Sequence, residues 1–264
     1  MHKPYLIDNL KFDLRIYVLV YGVDPLRVFV FREGLARFAT EEYTGPYNNN
    51  LDNLYMHLTN YAINKYSDNF EANEDEDDDD TGSKRSVSSI FKYIEEQENN
   101  PEITADKLWE QIEDIAVKTL ISAQPHLCHS VRSLQPDDLE NSMCFEVLGI
   151  DIFLDDKVKP WLIEVNALAS FATDSPLDKK IKYDVIYETI AMLNLNQKRK
   201  RKMKKDRADQ ANRRQFRDPA PSKEDRIALK KKLQADRDKF DLKICSGFKR
   251  VYPTARKEKR ALYE

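Results

Sequence analysis

Glycine is scarce in this chain, with six in 264 residues. A glycine-rich phosphate cradle cannot be drawn from so few. Neither a Walker A run, a Gly-x-Gly-x-x-Gly fingerprint nor a Gly-x-Ser-x-Gly elbow occurs. Cysteine is scarcer still. Cys128, Cys144 and Cys245 are odd in number and scattered, which fits reduced thiols in a cytosolic protein rather than a disulfide framework. His126-Leu-Cys128-His129 spaces its donors too tightly for one tetrahedral zinc site. No apolar run approaches the ~20 residues that span a bilayer. The N-terminus has no signal-peptide layout, so no membrane partner is expected.

Charge is abundant and unevenly divided. The net charge of −3 hides a tail over 196–264 with 25 Lys and Arg against 10 Asp and Glu, beside a body with 18 against 36. An acidic body with a basic tail points to a tail that meets an anionic surface. Glu71 to Asp80 places eight acids in ten positions, so 71–88 is expected to be a disordered loop.

Periodicity organises the rest. Phe12 to Val20 alternates apolar and polar residues, and Leu26 to Phe31 repeats the habit after Gly22-Val-Asp-Pro25, a hairpin signal. Its first strand carries Lys11, Asp13 and Arg15 on one face, and a turn is expected at Glu33-Gly34 between Arg32 and Arg37. A helix is predicted from Asp106 to Ala123 and another from Leu177 to Leu195. Past a domain boundary near residue 196, Pro219-Ala-Pro221 interrupts the basic stretch, and Ser222-Lys-Glu-Asp225 is placed to cap a helix to about Phe240.

The most informative segment is Phe145-Glu-Val-Leu-Gly-Ile-Asp151 followed, after a polar turn, by Trp161-Leu-Ile-Glu164-Val-Asn166. Folding this second hairpin about its turn brings Asp151 opposite the segment around Glu164, while Glu164 and Asn166, two apart, share a face. Two carboxylates and an amide on strands form a hard-oxygen set of the kind magnesium takes while keeping waters and room for phosphates. A solvated surface hairpin is the plain alternative. The donors interrupt strongly apolar strands, where carboxylates without a cation are costly, and that favours the metal. Lys11, Arg15 and Arg37 supply fixed positive charge suited to phosphate or carboxylate recognition, or else to an ordinary solvated strand face.

Seven motifs in order carry a resemblance. They are Lys11-Phe-Asp-Leu-Arg15, Arg32-Glu-Gly34-Leu-Ala-Arg37, His57-Leu-Thr-Asn60-Tyr61, Gly82-Ser-Lys84-Arg85, the two strands just described, and Thr173-Asp-Ser-Pro-Leu-Asp178. Through them, residues 4–195 resemble the tubulin tyrosine ligase-like family of ATP-grasp amino-acid ligases. The resemblance implies an α/β fold, the C-terminal portion of an ATP-grasp domain with an antiparallel sheet flanked by helices, plus a helical basic appendage. It implies Asp151, Glu164 and Asn166 as magnesium ligands, and Lys11, Arg15, Thr59 and Asn60 as ATP contacts. Arg37, Tyr61, Lys84 and Lys182 are implied to line the amino-acid pocket, with Lys11 and Arg37 acting catalytically. The implied reaction joins free L-glutamate to tubulin tails, with ATP and Mg2+ as cofactors, by way of an acyl-phosphate. Glycine or tyrosine ligation, or a non-catalytic microtubule-binding protein, are the alternatives. The tail ends in Gly247-Phe-Lys-Arg250-Val-Tyr-Pro253, which in similar polyglutamylases accompanies a cationic microtubule-binding module. Microtubules are therefore the expected partner and the cytoskeleton, with the cilium or basal body, the expected location. Nucleic acid is not expected as a partner, and a monomer is.

Two departures stand out. Where the family has His-Ser-Pro-Ser after the Glu-Val-Asn motif, this chain has Ala167-Leu-Ala169-Ser170. The opening Met1-His-Lys-Pro4 also matches the middle of the ATP-grasp fold. The adenine-binding half is thus expected to lie outside these 264 residues, which by themselves are expected neither to bind ATP tightly nor to turn over.

Overall fold

A computed structural model describes residues 3–263 apart from positions 48, 74, 76–78, 99, 135, 137, 143 and 217–221. Strands β1 (Leu6–Ile7), β2 (Leu10–Val23), β3 (Leu26–Glu42), β4 (Lys84–Ser86), β5 (Phe145–Leu154), β6 (Pro160–Asn166) and β7 (Phe248–Tyr252) form one sheet. Its main path runs β4-β3-β2-β5-β6, with β1 added to β2 and β7 to β3, and every pairing is antiparallel. The helices are α1 (Leu54–His57), α2 (Tyr61–Asn64), α3 (Val87–Glu98), α4 (Ala105–Leu134), α5 (Pro176–Leu193), α6 (Gln197–Phe216), α7 (Lys223–Ile244) and α8 (Lys257–Tyr263).

Both faces of the sheet are covered along β2, whose alternation allots them, while β6 at the edge is largely exposed. Leu14, Ile16 and Val18 pack with Ile90 and Ile94 of α3 and with Trp109, Ile112 and Ala116 of α4. Tyr17, Leu19 and Tyr21 point the other way, toward Leu177, Ile181 and Val185 of α5. Each Leu, Ile or Val among them, fully buried, contributes about 1.5–3 kcal/mol. This leaves β2 apolar on both faces at its turn end, while the Asp13–Arg15 end carries the polar residues of one face.

Three expectations change. No turn forms at Glu33-Gly34, and β3 runs straight through it. Gly34 is there for close approach, since a Cβ at that position would collide with the Arg15 carbonyl oxygen of the neighbouring strand. The segment 71–88, expected to be disordered, ends in β4 and the first turn of α3, where Ser83, Lys84 and Ser86 are buried. Glu74, Glu76, Asp77 and Asp78 of its acidic run lie outside the described residues, as does Pro219-Ala-Pro221. Helix α4 also continues past Ala123 through Pro125, because its distal part still has a surface to cover, and Cys128 Sγ donates to the Val23 carbonyl at 2.9 Å.

Past the boundary expected near residue 196, the chain returns to the body. β7 joins the main sheet with Val30 opposite Lys249 and Phe31 opposite Phe248. Helix α7, capped by Ser222 as expected, is tied down by Arg27, whose guanidinium reaches Asp238 at 2.7 Å and Asp241 at 2.5 Å. Lys249 adds a 2.9 Å bridge to Glu113 of α4. Helix α6, by contrast, keeps its described side chains exposed. Among the described residues no helix is long and apolar enough to cross a membrane.

Candidate functional site

The site is a charge checkerboard laid across five strands by register. On one row Lys84 (β4) lies opposite Arg37 (β3), and Arg37 opposite Asp13 (β2). On the next, Arg15 (β2) lies opposite Asp151 (β5), and Asp151 opposite Glu164 (β6). The second hairpin therefore places Asp151 and Glu164 side by side.

Hydrogen bonds knit the two rows. Arg15 grips Asp151 through Nε–Oδ1 at 2.5 Å and Nη2–Oδ2 at 3.0 Å. Arg37 donates Nε to Asp13 Oδ1 at 2.9 Å and Nη2 to both Asp13 Oδ2 and, at 2.8 Å, Asp151 Oδ2. Thr59 reaches the Asp13 carboxylate as well. Asn166 Nδ2 spans the two outer acids, 3.0 Å from Glu164 Oε1 and 3.3 Å from Asp151 Oδ2.

The two buried acids titrate in opposite senses. Burial raises the Asp13 carboxyl above its ordinary range, and the charge of Arg37 only partly offsets this. At Asp151 burial also pushes upward, but the hydrogen bonds of Arg15 and the charge of Arg37 outweigh it and hold the carboxyl below the usual range. A depressed native pKa contributes stability that is present above the unfolded value, about 3.9, and is lost as pH falls through the native one. Asp151→Asn removes that contribution, so its melting temperature should depend less steeply on pH below about pH 4 than the wild type's. Calorimetric melts across that range check this, and equal slopes would refute it.

A second cluster adjoins the first. Lys84 and Lys182 share Asp178 of α5, with the Lys182–Asp178 contact at 2.7 Å, and Lys182 also donates to the Ala172 carbonyl at 2.5 Å. The Lys84 ammonium lies 3.8 Å from the centroid of the Tyr61 ring. Burial lowers the Lys84 ammonium below its ordinary range, although Asp178 works against that. Two lysines thus meet one carboxylate deep in the site.

The structure brings Arg15, Arg37, Asp151, Glu164, Asn166, Thr59, Lys84, Tyr61 and Lys182 into these two adjoining clusters. Lys11 and Asn60 stand apart. Lys11 Nζ donates to the His57 carbonyl at 2.7 Å and lies over the Phe153 ring, and burial lowers its ammonium. Asn60 is exposed and caps α2 without a side-chain hydrogen bond. Two residues carry more than sequence reasoning gave them. By sequence Asp13 is only a member of a strand face, and Asp178 only the end of a motif. The Ser175-Pro-Leu-Asp178 spacing is a capping-box signal, and Ser175 Oγ does accept from the Asp178 amide at 3.1 Å. Nothing in that spacing reports the lysines.

The donor set fits a hard divalent cation. Asp151 Oδ1 accepts a single hydrogen bond, and Glu164 is exposed and forms no ion pair among the described residues. The bridging Asn166 amide offers an oxygen when turned. No group of three or more His, Cys, Asp or Glu that could hold a metal occurs among the described residues, so this mixed set of two acids and an amide is the candidate.

The tubulin-tyrosine ligase family pattern matches residues 1–202, which include every residue of both clusters. The chain belongs to the tubulin-tyrosine ligase family. The large antiparallel sheet flanked by helices agrees with the ATP-grasp-like fold of that family. Among its relatives, Tubulin polyglutamylase TTLL6 of Homo sapiens is 46% identical over 97% of this chain and 28% of its own length. Probable beta-tubulin polyglutamylase of Tetrahymena thermophila is 44% identical over 96% of this chain and 21% of its own. Tubulin polyglutamylase TTLL13 of Mus musculus is 41% identical over 98% and 32%. The chain thus spans between a fifth and a third of the length of these curated relatives. The likeness to the first two nearly covers the chain, so the basic tail and β7 belong to it as well as the site.

Proposed function

We propose that these residues form the metal- and amino-acid-handling side of an ATP- and magnesium-dependent ligase that adds glutamate to glutamate side chains of tubulin C-terminal tails. The observation that carries this reading is the pair of lysines on one buried carboxylate beside the Asp151–Glu164–Asn166 set, in a chain whose relatives are named polyglutamylases. Lysines in excess of their carboxylate favour an acidic amino acid over glycine or tyrosine.

Asp151, Glu164 and Asn166 would hold the magnesium, which when bound neutralises phosphoryl charge. Arg15 and Arg37 keep Asp151 ionised and aimed, as their hydrogen bonds require. In the proposed reaction the tail carboxylate takes the γ-phosphoryl of ATP, becoming an acyl-phosphate with release of ADP. The amine of the incoming glutamate then attacks the acyl carbon, the C–O bond breaks, and phosphate leaves with the amide formed. Such chemistry needs positioning and charge stabilisation rather than a protein nucleophile. The exposed cations of α6 and α7 are the proposed grip on acidic tubulin tails, within the cytoskeleton.

The test is incorporation of labelled glutamate into microtubules, with Asp151→Ala beside the wild type. Incorporation that disappears in the variant supports the ligase. No incorporation, with salt-sensitive microtubule pelleting retained, marks these 264 residues as a microtubule-binding fragment, as expected if they do not turn over by themselves.

A further inference from the structure

Along β2, the face that carries Asp13 and Arg15 continues to Tyr17. Tyr17 is 0% exposed, yet its hydroxyl has no hydrogen-bond partner among the described residues. Buried hydroxyls are nearly always partnered, because leaving one unpaired costs stability. A phenylalanine would fill the same volume without that cost, so a packing role alone does not account for the oxygen. The ring belongs to the apolar layer under α5, but charged groups of the site border it. Arg15, Asp178, Arg37 and Asp151 are all near enough for their charges to act on the phenol. The ring stacks on Phe171, with centroids 6.1 Å apart and planes 21° from parallel. Phe171 precedes Ala172, whose carbonyl holds Lys182. Opposite Tyr17 in the register is Gly149, where a Cβ would come within 3.1 Å of Arg15 Cδ and 3.3 Å of Ala169 Cβ. The Arg15 side chain and Ala169 thus occupy the space that a side chain at Gly149 would take.

We propose that the Tyr17 hydroxyl donates a hydrogen bond to a carboxylate of the amino-acid substrate, and so helps select substrates that bring an anionic oxygen to this depth. The chemistry around it points to an anion. Arg15 and Arg37, whose charges act on the phenol, are donors only, and the phenol adds an uncharged donor of defined direction. Burial, the largest influence on the phenol, raises it above its ordinary range, so it keeps its proton and remains a donor. The proposal rests on the ligase reading above and adds to it a residue outside the two charge clusters.

Tyr17→Phe removes one oxygen and tests this in two measurements on the whole chain. The melting temperature of the ligand-free variant should equal or exceed that of the wild type, because an unpaired buried hydroxyl has been deleted. Calorimetric affinity for L-glutamate should fall by about tenfold or more, as for a lost hydrogen bond to a charged group. A lower melting temperature, or a variant that does not fold, would reveal a structural partner and overturn the proposal. Equal affinity in both proteins overturns it too, while leaving the ligase reading intact. A wild-type chain that takes up no glutamate overturns both together, and so tells the two failures apart.

Discussion

Asp178→Ala should be the most damaging single substitution at the site, lowering the melting temperature on the order of 10 °C and abolishing the proposed glutamate transfer in a protein that carries it out. Asp178 is fully buried and is the shared partner of Lys84 and Lys182, which are themselves only 5% and 6% exposed. Its removal leaves two buried ammonium groups without the carboxylate that pairs them, and only the more distant charge of Asp174 remains. Breaking a buried pair in this way costs about 3–5 kcal/mol, largely through the charge left behind. Lys84, whose ammonium burial already disfavours, should respond by giving up its proton. The variant Asp178→Ala combined with Lys84→Met should therefore recover part of the stability without recovering transfer. Thermal melts of both variants beside the wild type decide the matter. A single variant as stable as wild type would mean that the lysines reach solvent or another acid, and the proposed pocket would lose its organising carboxylate.

Glu188→Gln should loosen the tail from the body. Glu188 on α5 is 5% exposed and spends its carboxylate on the turn before β7. It accepts the amides of Ser246 at 2.7 Å, Gly247 at 2.8 Å and Phe248 at 3.1 Å, together with the Ser246 hydroxyl at 3.1 Å. A carboxylate has about four lone-pair sites for this work, whereas an amide has one accepting oxygen and presents donors on its other side. At least one backbone N–H is then left unpaired or facing another donor, at about 1–3 kcal/mol each. Amide exchange in Phe248–Tyr252 should accelerate, and protease cleavage near Cys245 should appear, before the rest of the sheet opens. Unaltered exchange there would show that the β3 ladder and the Arg27–Asp241 pair hold β7 without Glu188.

Both substitutions fall on acids that periodicity ranks low. Asp178 lies in the first turn of a helix, where an acid needs no explanation beyond the capping interaction. Glu188 sits far along the same helix with no motif around it. What gives each its importance is a partner 94 or 58 positions away, Lys84 or Ser246. No local pattern carries that information. The tail conceals its partners for a similar reason. Its composition reads as a solvated appendage, and α6 conforms to that, but five residues of β7 find an open edge of β3 and join the main sheet.

By itself the sequence determined what short range can determine. The two hairpins, the helical faces, the cap at Ser222 and the placing of Asp151 beside Glu164 all follow from a period of two, a period of 3.6 and the position of a turn. The ordered motifs determined the family in the same way, since they are local strings. The tertiary structure alone decided which charges are paired. It set Arg15 on Asp151, Arg37 between Asp13 and Asp151, two lysines on Asp178, and a buried tyrosine hydroxyl without a partner among the described residues. A charge on a strand face reads the same whether it is solvated or buried. Its pKa, its cost and its use depend on what the register of the next strand, and the helix laid over it, bring within about 3 Å.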